Sequence, residues 1–161
     1  MATLYSNELK AFVVPEDFLE NPKNVLKENC LTIQHFDYEC EHKRNASGEV
    51  YGPTEPVILK FTVRVNSPKH AKVFYNNLLV NNSSSYSFLF NATFDQRDRL
   101  KSYDDAMIVR GFVVDVKEDY DATVTEDGSV QQILIQVTLL LSSITYVSKD
   151  DKHQVLKITN N

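Results

Sequence analysis

The sequence predicts a mainly β protein, a small antiparallel β-barrel of about six strands with one packed α-helix. Three observations support this prediction. Apolar and polar residues alternate in several separate stretches, which is typical of half-buried strands. One stretch has the spacing of an amphipathic helix. The chain has 161 residues and 42% hydrophobic content, which fits a single folded domain over residues 1–161.

Three strands follow from alternation with a period of two. In residues 57–65 every odd position is apolar, and residues 86–94 alternate in the same way. Residues 31–42 also alternate, but their phase changes near His35, which predicts a β-bulge there. Residues 9–14 are predicted as a further, first strand.

Two later strands, residues 107–117 and 132–147, carry apolar residues on both faces. In the second of these, Leu140 and Ile144 lie in the phase opposite to Ile135 and Leu139. A strand that is apolar on both faces is covered on both faces, either by a helix or by another subunit. Leu140 and Ile144 are therefore candidates for cover by a helix or by another subunit.

The helix is predicted to begin at Ser67 and Pro68, since serine is a good N-cap and proline suits the first helical position. Apolar residues then recur on one helix face: Ala71, Phe74, Tyr75, Leu78 and Leu79. A second, weaker helix is predicted for residues 16–28. Its expected inward-facing side chains are Phe18, Leu19, Val25 and Leu26.

Residues 43–56 form a long polar connection between two predicted strands. Hairpin loops usually have roughly two to five residues, so the extra length costs closure entropy. The connection is expected to be either a mobile surface loop or a loop with a function, and the second is favoured. Val50 and Tyr51 provide a small apolar tip. Lys43 and Arg44 give this acidic protein a local positive patch. Two other connections are a charged loop at residues 95–105 and a hairpin tip at residues 118–130.

Residues for metal, cofactor or nucleic-acid binding do not form a recognisable pattern. The four histidines lack the H-x-x-x-H spacing, and the four glycines cannot build a phosphate-binding loop. The acidic stretch after Asp119 has Val124 and Val130 where a calcium loop needs Gly and Glu. The net charge of −5 disfavours binding to a phosphate backbone. We therefore expect no metal, no cofactor and no nucleic-acid partner.

Two other function classes stay open on the sequence. A small-ligand-binding β-barrel would need polar side chains that converge in a cavity, and His35 and Tyr38 are the candidates. An enzyme could be built on the carboxylates of Asp104, Asp105 and Asp115. The mass in solution discriminates between these classes and an assembling protein. An assembly of several subunits favours an assembling protein, and a strict monomer favours a binding barrel.

The N-terminal region predicts a protein that begins in the cytoplasm. The first thirty residues contain charged side chains throughout and lack the apolar run of a signal peptide. No stretch approaches the roughly 18 apolar residues of a membrane helix, so membrane insertion is not expected. Cys30 and Cys40 lack C-x-x-C spacing and are expected to be reduced thiols.

The order of the predicted elements resembles one known family. A strand, a long polar loop, a strand, a helix that begins with Ser-Pro and three later strands follow one another as in Hcp (TssD), the tube protein of bacterial type VI secretion systems. The similarity is greatest to divergent forms from the Bacteroidetes. It covers residues 31–148 and depends mainly on residues 61–70, 85–94 and 104–120. Residues 15–29 and the tail after residue 148 are additions.

The resemblance implies a structural protein and not an enzyme. Hcp-like proteins form hexameric rings that stack into a tube, which a contracting sheath expels with effector cargo. The implied partners are further copies of this chain and the sheath, spike and effector proteins, with export through the apparatus and without a signal peptide. In Hcp-like proteins the extended loop lies at the junction between rings. Stacking is therefore expected to use Lys43, Arg44, Val50 and Tyr51, and ring closure Leu140 and Ile144.

Overall fold

The computed structural model describes residues 11–14, 18, 21–39, 42–44, 46–47, 50–54, 57–65, 67–80, 83–120, 133–148 and 154–157. These contain one α-helix, α1 (Lys72–Val80). The strands, in chain order, are β1 (Ala11–Val14), β2 (Leu31–Glu39), β3 (His42–Arg44), β4 (Val50–Thr54), β5 (Ile58–Val65), β6 (Ser84–Phe90), β7 (Thr93–Phe94), β8 (Leu100–Ser102), β9 (Asp105–Tyr120), β10 (Ile133–Ser148) and β11 (Gln154–Lys157).

Six strands form a closed antiparallel barrel in the order β1-β2-β5-β10-β9-β6, with β6 pairing back to β1. β11 adds to the second half of β10. The remaining strands form two small hairpins, β3–β4 and β7–β8. The predicted fold class, a small antiparallel barrel of about six strands with one helix, is therefore confirmed.

Bulges set the phase of the long strands. The predicted bulge near His35 is confirmed, because β2 changes register against β5 between Ile33 and His35. A second bulge lies in β10, where Ser142 has no direct partner on β9 and its Oγ donates a hydrogen bond to the Arg110 carbonyl at 3.0 Å. Beside it only glycine fits at Gly111, since an added Cβ would lie 2.2 Å from a backbone oxygen of β10.

Aromatic rings fill the interior of the barrel, and α1 packs against them. Phe88 contacts the rings of Phe36 and Phe61 edge-on, at centroid distances of 5.1 and 5.2 Å. Phe74 of α1 lies 5.8 Å from Phe61 and 5.7 Å from Tyr86. These rings belong to one continuous core.

The predicted start of the helix is confirmed, although its first turn is a 3-10 helix, Pro68–Ala71. The Ser67 hydroxyl caps this turn by accepting a hydrogen bond from the Lys69 amide at 3.5 Å. Leu79 was expected on the buried face, but it is 80% exposed, so the buried stripe is narrower than predicted. Within the described residues, no helix has both the length and the apolar character needed to cross a membrane.

A second apolar cluster covers the outer side of one barrel wall. Neighbouring residues of a strand point to opposite faces, so Val13 and Phe88 enter the interior while Phe12 and Leu89 point outward. Phe18, Val25 and Ala92, which lie outside the barrel strands, complete this cluster with Phe12, Val14, Leu89, Ala106 and Val147 of the wall. The apolar outer face of this wall is therefore covered by the chain itself.

The strap, which we define as residues 21–30, forms much of this cover. The predicted helix at residues 16–28 is wrong, because the strap contains two 3-10 turns, Pro22–Asn24 and Lys27–Asn29. Pro22 lacks an amide hydrogen and cannot continue a helix from residues before it. Phe18 and Val25 are nevertheless buried as predicted, Leu26 is half-buried, and Leu19 lies outside the described residues.

Backbone hydrogen bonds fix the strap to the β7–β8 hairpin. The Lys27 amide donates to the Asp98 carbonyl at 2.8 Å, and the Leu100 amide donates to the Val25 carbonyl at 3.1 Å.

The predicted strand over residues 86–94 is interrupted, because Asn91 has a φ of 50° between β6 and β7. The predicted loop at residues 95–105 contains β8.

Ser87 is the one buried polar side chain of the described residues whose oxygen lacks a hydrogen-bond partner. Its neighbours across the sheet are Val14 and Ile108. A buried hydroxyl without a partner costs roughly 1–3 kcal/mol. We therefore expect Ser87→Ala to leave the free energy of unfolding unchanged, or to raise it by about 1 kcal/mol, in urea denaturation.

Ser142→Ala is the matched control for this prediction. It removes a hydroxyl that does donate a hydrogen bond, to the Arg110 carbonyl. We expect it to lower the free energy of unfolding by about 1 kcal/mol. A larger loss for Ser87→Ala than for Ser142→Ala would contradict the assignment of Ser87 as unpartnered.

Candidate assembly surface

The outer face of the wall formed by β2, β5, β10 and β9 carries four rows of side chains. Strand register places the members of each row directly opposite one another. The rows are Glu39, Ile58, Leu140 and Phe112; Asp37, Lys60, Thr138 and Asp115; His35, Thr62, Gln136 and Lys117; and Thr32, Arg64, Leu134 and Asp119.

The first row contains most of an exposed apolar strip, which we define as Ile58, Phe112, Val114 and Leu140. Ile58 is 46% exposed, Phe112 is 37% exposed, and Leu140 is half-buried between them. Val114 is 50% exposed because it is the extra residue of a bulge in β9 and has no direct partner on β10. A contiguous exposed apolar patch marks an interaction surface.

The second and third rows have a different character. Lys60 lies opposite Asp37 on one side and Thr138 on the other, and Thr138 lies opposite Asp115. The third row, His35, Thr62, Gln136 and Lys117, is also polar throughout, so neither row offers apolar surface to a partner. The apolar strip is the part of the wall that gains most from being covered.

The structure separates the two residues predicted at the ring contact. Leu140 lies in the apolar strip. Ile144 is 3% exposed and packs in the interior core, because the bulge at Ser142 shifts the phase of β10 between the two residues. Leu140 is therefore the member of the pair that faces outward.

The other predicted contact residues lie on the β3–β4 hairpin. Residues 43–56 were expected to form a long polar loop, and their described part contains a two-stranded ladder in which Arg44 lies opposite Val50. Lys43 is in β3 and Tyr51 is in β4. The side chains of these four residues lie outside the described part of the structure.

The polar residues considered for a ligand-binding barrel do not converge. His35 is exposed on the outer face, whereas Tyr38 packs against the interior core. There the hydroxyls of Tyr38 and Tyr146 share a hydrogen bond. Burial, together with this bond, raises the pKa of Tyr146 to about 12, so this phenol is neutral at physiological pH.

The carboxylates considered for an enzyme are not brought together either. Asp105 and Asp115 lie ten residues apart on β9, a separation of roughly 30 Å along the strand. Asp104 precedes Asp105, and all three residues are exposed. In the described ranges, no group of three or more His, Cys, Asp or Glu side chains is placed to hold a metal ion.

The end of β9 carries a carboxylate beside α1. The Tyr120 hydroxyl donates a hydrogen bond to Glu118 Oε2 at 2.9 Å, and the charge of Glu118 acts on the phenol of Tyr75 in α1. Burial, then the charge of Glu118, raises the pKa of Tyr75, while the hydrogen bond to Glu118 is the main cause of the raised pKa of Tyr120. Both phenols are therefore protonated at neutral pH.

Sequence reasoning missed three members of the apolar strip, although a signal was present. Ile58 is an apolar residue in the otherwise polar phase of its strand. Phe112 and Val114 occupy the second phase of β9. Ala106, Ile108 and Val147 are also apolar residues of strands that are apolar on both faces, but they are packed in the second apolar cluster, outside the barrel wall. The sequence does not distinguish these covered residues from the exposed ones.

Comparison with known proteins identifies similar structures only. No family model and no curated protein sequence matches the chain. A structure described as an Hcp protein has 10% identity and a TM-score of 0.61 over 95% of this chain and 99% of its own. Hcp1 from the E. coli EAEC 042 pathovar has 13% identity and a TM-score of 0.56 over 94% and 98%. Hcp1 from Flavobacterium johnsoniae has 12% identity and a TM-score of 0.52 over 92% and 99%.

Proposed function

We propose that this chain, which has the Hcp fold, is a tube subunit of a contractile type VI secretion apparatus. In this proposal, six copies close into a ring, rings stack into a tube, and the tube carries effectors when the sheath contracts. The observation that supports it best is a likeness to Hcp structures that extends over nearly all of both chains. Export through the apparatus, and contact with its sheath and spike, are part of the same proposal.

The apolar strip supports ring formation independently of the likeness in fold. One wall of the barrel is already covered by the strap and the β7–β8 hairpin. On the other wall, Ile58, Phe112 and Val114 remain exposed beside Leu140. A neighbouring copy that covers this strip would remove apolar surface from water, and closing the ring would leave no strip uncovered.

The β3–β4 hairpin supports stacking, because it leaves the barrel at the end opposite α1. β5 begins at Ile58, next to the end of β2 at Glu39, and α1 follows the end of β5 at Val65. The eight residues of β5 separate the two ends by roughly 26 Å. In a head-to-tail stack, the hairpin of one ring would meet the α1 end of the next ring.

Ring formation and ring stacking should therefore be separable by mutation. We expect a short Gly-Ser bridge in place of residues 49–53 to leave the mass of the ring in solution unchanged, because the barrel does not include β4. The same variant should form no end-to-end tubes in electron micrographs and should not be exported. Tubes and export at the level of the natural sequence would refute the stacking role of the hairpin.

The small-ligand-binding barrel has no observation in its favour. The interior is filled by aromatic rings in edge contact, and the two polar candidates, His35 and Tyr38, lie on opposite sides of the wall. We infer a structural role and not a catalytic one, since Asp104, Asp105 and Asp115 do not form a common site.

A further inference from the structure

A groove of about 460 Å³ lies beside α1, and we call it the α1 groove. Leu31 and Val73 provide apolar surface, Lys69 and Lys72 provide positive charge, and Glu28 is the one acidic residue of the lining. The complete lining is Glu28, Asn29, Leu31, Lys69, His70, Lys72, Val73 and Asn76. A second cavity of about 460 Å³ adjoins it and shares Asn29, Leu31 and Val73.

The surroundings of the α1 groove indicate an acidic occupant with some apolar side chains. Lys69 and Lys72 are exposed, and neither forms an ion pair with another described residue. Val73 is 51% exposed and Val80 is 60% exposed, so apolar surface continues along the helix beyond the groove. The two lysines outnumber Glu28, the one acidic residue of the lining. Excess positive charge beside exposed apolar surface suits a partner that brings carboxylates and small apolar groups together.

The chain itself contains such a segment between β9 and β10. Residues 121–132 include Asp121, Glu126 and Asp127 and contain no Lys or Arg. They also include Val124 and Val130. The segment directly follows Glu118 and Asp119, which makes residues 118–132 strongly acidic as a whole.

The positions of the segment and the groove favour a second copy as the source of the segment. The residues that flank the segment, Tyr120 and Ile133, lie at the same end of the barrel as the groove, because Ile133 also pairs with Val65, just before α1. Glu118, three residues before the segment, acts on Tyr75, whereas Val73, two residues away on the helix, lines the groove, so Glu118 and the groove lie on opposite sides of α1. A closed ring joins two different patches from opposite sides of each subunit.

We propose that residues 121–132 of one copy dock in the α1 groove of the neighbouring copy in the ring. This inference rests on the ring formation proposed above. The carboxylates of the segment pair with Lys69 and Lys72, and its valines cover Leu31 and Val73. The contact lies at the barrel end opposite the apolar strip, so two separate areas along the height of the barrel hold neighbouring subunits.

Charge reversal on both sides tests the pairing. We expect Lys69→Glu with Lys72→Glu to raise the protein concentration at half-assembly about tenfold, measured by light scattering across a dilution series. Adding Glu126→Lys and Asp127→Lys to that variant should restore assembly. The control is Lys23→Glu with Lys101→Glu, which makes the same change in net charge at exposed positions outside the groove. Equal effects from the groove pair and the control pair would overturn the proposal.

Disulfide trapping tests whether the segment comes from a neighbour. Cys30→Ser and Cys40→Ser first remove the native thiols. One copy then carries Asn76→Cys and a co-expressed copy carries Ser129→Cys, so that only contact between copies can join them. We expect oxidation to give a covalent dimer with one copy of each kind.

Three other results would overturn the proposal. The first is a bond that forms only within a single chain carrying both cysteines. The second is a bond from Asn76→Cys to Val50→Cys on the hairpin but none to the Ser129→Cys copy, which would assign the groove to stacking. The third is a ring of normal mass without any trapped pair, which would leave the proposed function intact. A monomeric natural chain, by contrast, would contradict the proposed function together with this inference.

Discussion

Replacing Leu140 by glutamate is expected to convert the assembled protein into folded monomers. Leu140 lies at the centre of the apolar strip, directly opposite Ile58 and Phe112. A carboxylate there would be buried without a partner when a neighbouring copy covers the strip, at a cost of several kcal/mol per contact. Since every subunit of a ring makes the contact, the loss of assembly should be complete. Light scattering measures it, and circular dichroism checks that the barrel stays folded.

Two control variants make the Leu140 result interpretable. Gln136→Glu adds the same charge to an exposed position of the same strand and should leave assembly unchanged. Ile144→Glu should instead unfold the monomer, because Ile144 is 3% exposed in the interior core. A Leu140→Glu protein that assembles like the natural chain would refute the ring contact at the apolar strip.

Phe74→Ala is expected to lower the free energy of unfolding by about 3–5 kcal/mol. Phe74 is 1% exposed, and its ring packs on Phe61 and stacks on Tyr86, so truncation leaves a cavity where α1 meets the barrel. Denaturant unfolding of a non-assembling background such as Leu140→Glu measures the effect without a contribution from ring dissociation.

Leu79→Ala is the matched control on the same helix. Leu79 is 80% exposed, so its truncation should change the free energy of unfolding by no more than about 0.5 kcal/mol. If Phe74→Ala cost less than about 1 kcal/mol, the helix would not be anchored through this ring, and the packing described for α1 would be wrong.

The elements that were predictable from the sequence are those whose local pattern has one physical solution. A phase slip at His35 can be accommodated in a strand only by a bulge, and β2 has one there. Ser67 followed by Pro68 begins a helical segment because one caps it and the other fits its first turn. The six-strand barrel follows from several such strands in one small domain.

The remaining features depend on contacts between distant parts of the chain. Both phases of β10 are apolar, so the sequence does not reveal the bulge at Ser142 that turns Ile144 inward while Leu140 faces outward. The strap buries Val25 without forming an α-helix. Val25 is buried against the barrel wall, and the backbone of the strap forms hydrogen bonds with Asp98 and Leu100. Tertiary packing of this kind decides which apolar faces of the strands are covered by the chain itself.

The α1 groove was missed for a related reason. The groove is lined by the strap, the start of β2 and two turns of helical structure. Its first and last lining residues, Glu28 and Asn76, are 48 residues apart in the sequence. No local pattern unites these residues. The acidic stretch at residues 118–132 is visible in the sequence, but by itself it indicates only a hairpin tip, because the groove that complements its charge exists only in the folded chain.

The mass of the natural chain in dilute solution tests the central claim most directly. Size-exclusion chromatography with light scattering, at micromolar concentration and near-physiological salt, should give a closed ring of about 110 kDa, six times the chain mass of 18.4 kDa. This result would support a tube subunit with its apolar strip covered by a neighbour. A single species of 18.4 kDa across the accessible concentration range would contradict it.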